Sequence, residues 1–259
     1  MSGQIEFFTP RVVAALMLRE MSTTYGKSVG GYLWAFLEPI FGIIFLTFVF
    51  SAALRSPSLG NSFAIFYAAG IVPFIMYHTT QSKVAQSISF SKGLLTYPRV
   101  TFFDAAFARF LLNMLTQLVV GFAILAALFA ITDTPVTIDV PKAASAIGLV
   151  LWLGFGLGVL NCFLFSVIPV WKSFWSIMTR PLFILSGLFY IYEDVPQAFA
   201  KYLWYNPLFH IIGMMRDSFY PTYHPTYIST NYVVWWAAIP SVLGLFLLRR
   251  YHKMILNDL

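Results

Sequence analysis

The chain has 259 residues, 59% hydrophobic and only 10% charged, with a formal net charge of +6 and a mean hydropathy of +0.77. Soluble domains carry about 25% charged residues, so this composition excludes one and indicates a chain that lives in a membrane. Its one cysteine, Cys162, excludes an internal disulfide and any multi-thiol metal site.

Residues 1–32 read as an interface helix and the lead into the first span. Within them, 5–24 form an amphipathic pattern, with Val12, Leu16 and Met17 facing lipid and Arg11, Arg19 and Glu20 facing water or headgroups. The start, MSGQIEFFTPR, has neither a positive flank before an apolar core nor a small-residue cleavage site, so it does not read as a cleavable signal. Gly26-Lys27-Ser28 has the ending of a phosphate-binding loop. Such a loop needs an earlier glycine, where this chain has Met21, and a preceding strand, where it has helical spacing. No nucleotide site is expected here.

Six apolar stretches follow, at 33–54, 63–83, 106–132, 143–169, 174–192 and 229–249. Each is near the roughly 20 residues that a helix needs to cross the hydrocarbon. Their apolar residues do not alternate, and their length exceeds the ~9–11 residues of a membrane strand, which excludes a barrel. The expected fold is an all-α polytopic membrane protein with six transmembrane helices.

In the first span, Trp34, Glu38, Phe41, Phe45 and Phe48 fall within about 80° on a helical wheel. That face is either a packing surface or the lining of a pathway. A carboxylate such as Glu38 must in either case face protein or water. After the second span, SKGLLTYPRVTFFDAAFAR is interrupted by Gly93 and Pro98. A short helix over 91–104 is expected, exposing Leu94 and Leu95 beside Lys92 and Arg99, as a docking knob or as a surface helix at the headgroups.

Gly154, Gly156 and Gly158 in the fourth span read as close helix packing, with Gly154 and Gly158 forming a G-x-x-x-G pair and Cys162 packed nearby. PVWKSFW is a tight turn with interfacial tryptophans. In the fifth span, Trp175, Thr179, Leu182, Ser186 and Tyr190 share one side and mix hydroxyls with rings, which fits an aqueous interior. Arg180 lies elsewhere on that helix, either snorkelling to headgroups or contacting an anionic substrate. Residues 195–225 form the longest external segment. Its second half is apolar up to Arg216 but too short to cross, which fits a re-entrant or interfacial helix. His210 has Met214 at i+4 and so no second metal ligand; it reads as a satisfied histidine.

Charge distribution sets the orientation. With the N-terminus inside, twelve of the 16 basic residues fall on one side, and only Arg55, Lys142, Lys201 and Arg216 on the other. Positive segments stay cytoplasmic, so both termini are expected there, and the net charge is a topology signal that needs no nucleic acid.

YGKSVGGYLWAFLEPI at 25–40, LLTYPRVTFFDAAFAR at 94–109, RPLFILSGLFY at 180–190 and YNPLFHIIGMMRDSFYP at 205–221 together resemble the recurring segments of type-2 ABC exporter permeases. Their spacing is most similar to the capsular polysaccharide export permeases of Gram-negative bacteria, the KpsM and BexB type. The resemblance implies a multi-pass inner-membrane homodimer joined by two copies of a cytoplasmic ABC ATPase, which would carry the ATP and Mg while this chain binds no cofactor. It further implies periplasmic and outer-membrane export partners and a lipid-linked acidic polysaccharide as substrate. By the same resemblance 91–104 is a coupling helix, with Lys92, Leu94, Leu95, Tyr97, Pro98 and Arg99 at the ATPase, and the external helices dip back into the outer leaflet.

The candidate pathway residues are Trp34, Glu38, Phe41, Phe45, Phe48, Trp175, Thr179, Arg180, Ser186 and Tyr190. An enzyme acting on lipid-linked sugars would need converging acids or histidines. The ten acidic residues are scattered, and Glu193-Asp194 is external. No catalytic or metal site is therefore expected. Export of another lipid-linked polymer, such as O-antigen or teichoic acid, is the alternative, followed by a small-molecule exporter.

Overall fold

A computed structural model describes residues 10–25, 31–95, 100–132 and 138–257, and over these the chain is helical with no strand. Gly26, Lys27 and Ser28, and Tyr97, Pro98 and Arg99, lie outside the described residues. The helices are α1 Pro10–Glu20, α2 Gly31–Ala53, α3 Phe63–Ala85, α4 Ser87–Ser91, α5 Phe102–Ile131, α6 Val140–Val167, α7 Pro169–Thr179, α8 Leu182–Leu185, α9 Gln197–Leu203, α10 Pro207–Phe219 and α11 Thr230–Asn257. Five of them, α2, α3, α5, α6 and α11, are long and apolar enough to cross a membrane.

Local chemistry starts several of these helices. Ser62 caps α3 by accepting from Ile65 N–H, and Asn206 caps α10 by accepting from Leu208 N–H, with Pro207 in the first turn. Thr101 and Asp104 form a reciprocal capping box at the start of α5.

The centre of the bundle is α3, buried along most of its length and flanked by α2, α5, α6 and α10. Contacting residues fix the directions. Gly42 sits by Ile71, while Phe50 sits by Tyr67, so α2 and α3 are antiparallel. Asn113 Nδ2 donates to Thr80 Oγ1, and Gly121 sits by Met76, so α3 and α5 are antiparallel too. Gly154 faces Thr80 and Gly158 faces Val84, which makes α3 and α6 parallel; Gly156 faces Ala237 and Ser241, and Gly244 meets Leu160, which makes α6 and α11 parallel.

Glycine makes these approaches possible. A Cβ on Gly158 would stand 2.7 Å from Val84 Cβ, and one on Gly156 only 2.5 Å from the Ala237 carbonyl oxygen. Close backbone contact replaces the hydrophobic drive that lipid does not supply. The alternation Gly154, Gly156, Gly158 thus serves two neighbours, the outer pair α3 and the middle residue α11.

Four sequence expectations are corrected. PVWKSFW is not a tight turn but the first part of α7, with Pro169 at its first position, where a missing N–H is tolerated. The fifth stretch, 174–192, is not one helix. α7 ends at Thr179, Arg180 and Pro181 form a turn, α8 lasts four residues, and the chain turns again at Gly187 with φ +75°. Pro181 lacks an N–H, so it cannot continue the ladder.

Glu20 does not face water: it is buried, and Arg109 Nε donates to its Oε1 at 2.8 Å. Val13 and Leu16 of α1 bury against Ala108 of α5, so α1 lies on protein and not only on lipid.

Finally, no helix covers 91–104 among the described residues. α4 stops at Ser91, and α5 begins at Phe102. Leu95 is buried with Val84 and Ile88 and Leu94 is half-buried, while Lys92 is exposed.

Candidate functional site

A cleft of about 450 Å³ opens between α2, α3 and the α7–α8 break. Glu38 and Gly42 form one wall, Phe74 and His78 the second, and Ser176, Thr179, Arg180 and Phe183 the third. The turn at Arg180-Pro181 makes the cleft, because it moves the chain off the course a straight helix would follow. α7 buries none of its residues, so this wall stands apart from the packed bundle.

The ionisable groups lie towards the same end of the bundle. Glu38 lies seven residues into α2 and His78 seven before the end of α3, each about 10 Å along its helix. Since α2 and α3 are antiparallel, these distances run from the same end of the bundle. Arg180 lies at the end of α7, about 16 Å from that helix's start. The α6–α7 junction sits at the same end, because Cys162 of α6 contacts Ser87, just after α3, at 3.1 Å. A carboxylate, an imidazole and a guanidinium, all three exposed, therefore line one cleft towards the same end of the bundle.

Of the expected pathway residues, Glu38, Thr179 and Arg180 line this cleft. Trp34, Phe41, Phe45 and Phe48 share one face of α2, as the spacing predicts, but that face points away from the fold and Phe48 is 73% exposed. On the fifth stretch the stripe divides at the break. Trp175 is half-buried, its ring centroid 6.4 Å from that of Trp171. Ser186 is fully buried and accepts from Asn206 Nδ2 at 3.1 Å, and the Tyr190 hydroxyl donates to the Ile184 carbonyl at 3.0 Å.

His78, Ser176, Phe74 and Phe183 were not among the expected residues. Phe74 stacks on His78 with rings 10° from parallel and meets Phe183 edge-on at 5.3 Å. A signal existed in the sequence: the polar run His78-Thr79-Thr80-Gln81 interrupts an otherwise apolar span, with Phe74 four residues before His78.

The opposite end is held by a buried cation. Arg216 of α10 donates to the carbonyls of Tyr190 at 2.7 Å and Leu188 at 2.9 Å, and lies 4.1 Å from the Phe66 ring centroid. No carboxylate forms an ion pair with it among the described residues, and burial lowers its pKa to about 10. His210 is satisfied on both ring nitrogens: Nε2 donates to the Trp204 carbonyl at 2.7 Å, and Nδ1 accepts from Ser229 N–H at 3.2 Å. No group of metal-binding side chains occurs among the described residues.

The profile of the family described as ABC-2 type transporter matches residues 11–220. The polysialic acid transport protein KpsM of Escherichia coli is 26% identical over 246 residues, covering 95% of each chain. The capsule polysaccharide export inner-membrane protein CtrC of Neisseria meningitidis is 26% identical over 94% of this chain and 92% of its own. The capsule polysaccharide export inner-membrane protein BexB of Haemophilus influenzae has the same identity and coverage. A shorter similarity, 31% over 88 residues, links 34% of this chain to the O-antigen export system permease protein RfbA of Myxococcus xanthus.

Proposed function

From the premise that the chain belongs to the ABC-2 type transporter family, we propose that it is the permease subunit of an ATP-driven exporter in the bacterial inner membrane, moving lipid-linked capsular polysaccharide from cytoplasm to periplasm. The observation that carries the proposal is the cleft, an open groove at the side of the apolar bundle that Glu38, His78 and Arg180 line together beside aromatic rings. Hydrolysis belongs to two copies of a separate ATPase that bind ATP and Mg, and this chain supplies the path.

The working unit is a homodimer with both termini cytoplasmic. Its six spans count α7, α8 and the residues up to Tyr190 as a broken fifth. The directions of the helices support that count: α6 and α11 lie side by side and parallel, so the chain between them returns to the opposite end of the bundle. α9 and α10, within 195–225, then form the re-entrant external segment. α10 has 13 residues, about 20 Å, which is too short to cross.

The outward aromatic face of α2 meets the polymer or the second copy. Lys92, with Tyr97, Pro98 and Arg99, meets the ATPase, and the periplasmic end meets the proteins that carry polymer onward. Removing the chain from its host should make lipid-linked polysaccharide accumulate in the cytoplasm, and re-expression should clear it. Unchanged surface polymer in the deletion strain overturns the proposal.

A second reading, export of O-antigen, draws on the similarity to the Myxococcus permease. Chemical analysis of the accumulated glycan decides between the two.

A further inference from the structure

We propose that the cleft between α2, α3 and α7–α8 is a transient oxyanion subsite, in which Arg180 and His78 hold one carboxylate or phosphate of the passing substrate and Glu38, on the facing wall, weakens that hold by repelling it. The inference rests on the export reading for its substrate. The site itself stands on geometry. The three ionisable side chains come from α2, from α3 and from the turn between α7 and α8 to one cleft. None of them has an ion pair or side-chain hydrogen bond among the described residues, whereas the buried Glu20, Arg109 and Arg216 are all engaged.

The chemistry of the walls selects the ligand. A guanidinium pairs with a planar oxyanion through two parallel N–H donors, and an imidazole adds a third donor from the opposite wall. Phe74 fixes the plane of His78 by stacking on it, and Phe183 closes the same wall edge-on. A volume of about 450 Å³ lies in the lower half of the usual range for ligand sites. It admits a short piece of substrate and no more.

Glu38 gives the site its transience. A conducting path needs binding favourable enough to enter and weak enough to leave. A carboxylate in the same cleft as Arg180 meets the second requirement, because it repels the bound oxyanion. Arg180 and His78 without Glu38 would form a trap.

The same chemistry has two sources, the carboxylate of an acidic sugar and the phosphate of a lipid anchor. They are separable in the full-length chain co-purified with its ATPase, carrying Cys162→Ala and Ser176→Cys. Ser176 is exposed on the cleft wall, so its cysteine should react with an aqueous maleimide. The probes are a hexuronate tetramer, a neutral glucose tetramer and a short-chain phosphatidic acid below its micelle concentration.

An acidic probe should slow labelling at least fivefold where the neutral tetramer does not. Arg180→Gln should abolish the protection, Arg180→Lys should retain part of it, and Glu38→Gln should deepen it. Protection by the hexuronate assigns the oxyanion to the sugar, and protection by phosphatidic acid alone assigns it to the anchor. Equal protection by all three probes overturns the subsite, as does none from either acidic probe in a complex that still exports polymer; in both cases the export reading stands. A deletion strain that exports normally overturns the export reading instead.

Discussion

Arg109 on α5 and Glu20 at the end of α1 form an ion pair at 2.8 Å with both side chains about 6% exposed. The Arg109 guanidinium also lies 4.3 Å from the Phe90 ring centroid, and Arg19 lies 5.8 Å from the same ring. The pair fastens α1 to α5, and a π-helical turn over Met21–Tyr25 comes directly after α1.

Removing one partner of a buried pair leaves an uncompensated charge, a loss of about 3–5 kcal/mol. Glu20→Gln should therefore lower the melting temperature of the purified protein and expose α1 to protease. The double change Glu20→Leu with Arg109→Met should recover much of the loss. A single mutant as stable as the parent would show that the pair contributes nothing.

This pair also marks where sequence reading ended. The periodicity of α1 assigns a face to Glu20 but cannot say what lies against that face, and its partner is 89 residues away. Leu95 was misread for the same reason: an apolar residue in a polar turn looks exposed until α4 and α5 close over it. Helix positions were legible because runs of about 20 apolar residues have few alternatives in a membrane. The glycines of α6 were legible as packing, although not that Gly156 serves a different neighbour from Gly154 and Gly158. Arg180 and Glu38 stood out as isolated charges in apolar spans. His78 was hidden because the charge pattern counts only Lys, Arg, Asp and Glu, and the polar run around it was the sole signal.

The two-sided role of those glycines has a measurable consequence. Gly156→Ala places a methyl against the Ala237 carbonyl, and the helix backbones must shift; overpacking of this kind costs about 1–3 kcal/mol. Gly148, on the same helix, has nothing within 4 Å of its added Cβ. Gly148→Ala should be neutral or stabilising by up to about 1 kcal/mol, since alanine is the better helix former. Thermal unfolding of the two variants in one detergent tests the contrast, and equal losses would count against close α6–α11 packing.

His210 gives the α10 end of the bundle a pH dependence. It is neutral in its network, accepting from Ser229 N–H, and burial lowers its pKa from the ordinary value. The unfolded chain, with a pKa near ~6.5, then binds more protons than the folded one below that pH. The stabilisation is complete above about 6.5 and is lost as pH falls towards the lowered folded value. Melting should come earlier at pH 5.5 than at pH 7.5, and His210→Gln should flatten the difference. An unchanged slope in the variant would move the effect to another group.

The turn before α5 separates docking from packing. Leu95→Asp would bury a carboxylate beside Val84 and Ile88, and an unpaired buried charge costs at least several kcal/mol. The expected outcome is poor folding and low yield, so its loss of ATPase binding carries no information about a surface. Lys92 is exposed at the start of the same turn and can be changed without disturbing the core. Lys92→Glu should insert and purify normally yet retain less ATPase in a pull-down, most clearly at low salt, because contacts between exposed charges are screened as ionic strength rises. If Lys92→Glu holds its ATPase at every salt concentration, the turn is not the docking surface. If Leu95→Asp folds as well as the parent, the burial of Leu95 is wrong, and the residue returns to the surface as a docking candidate.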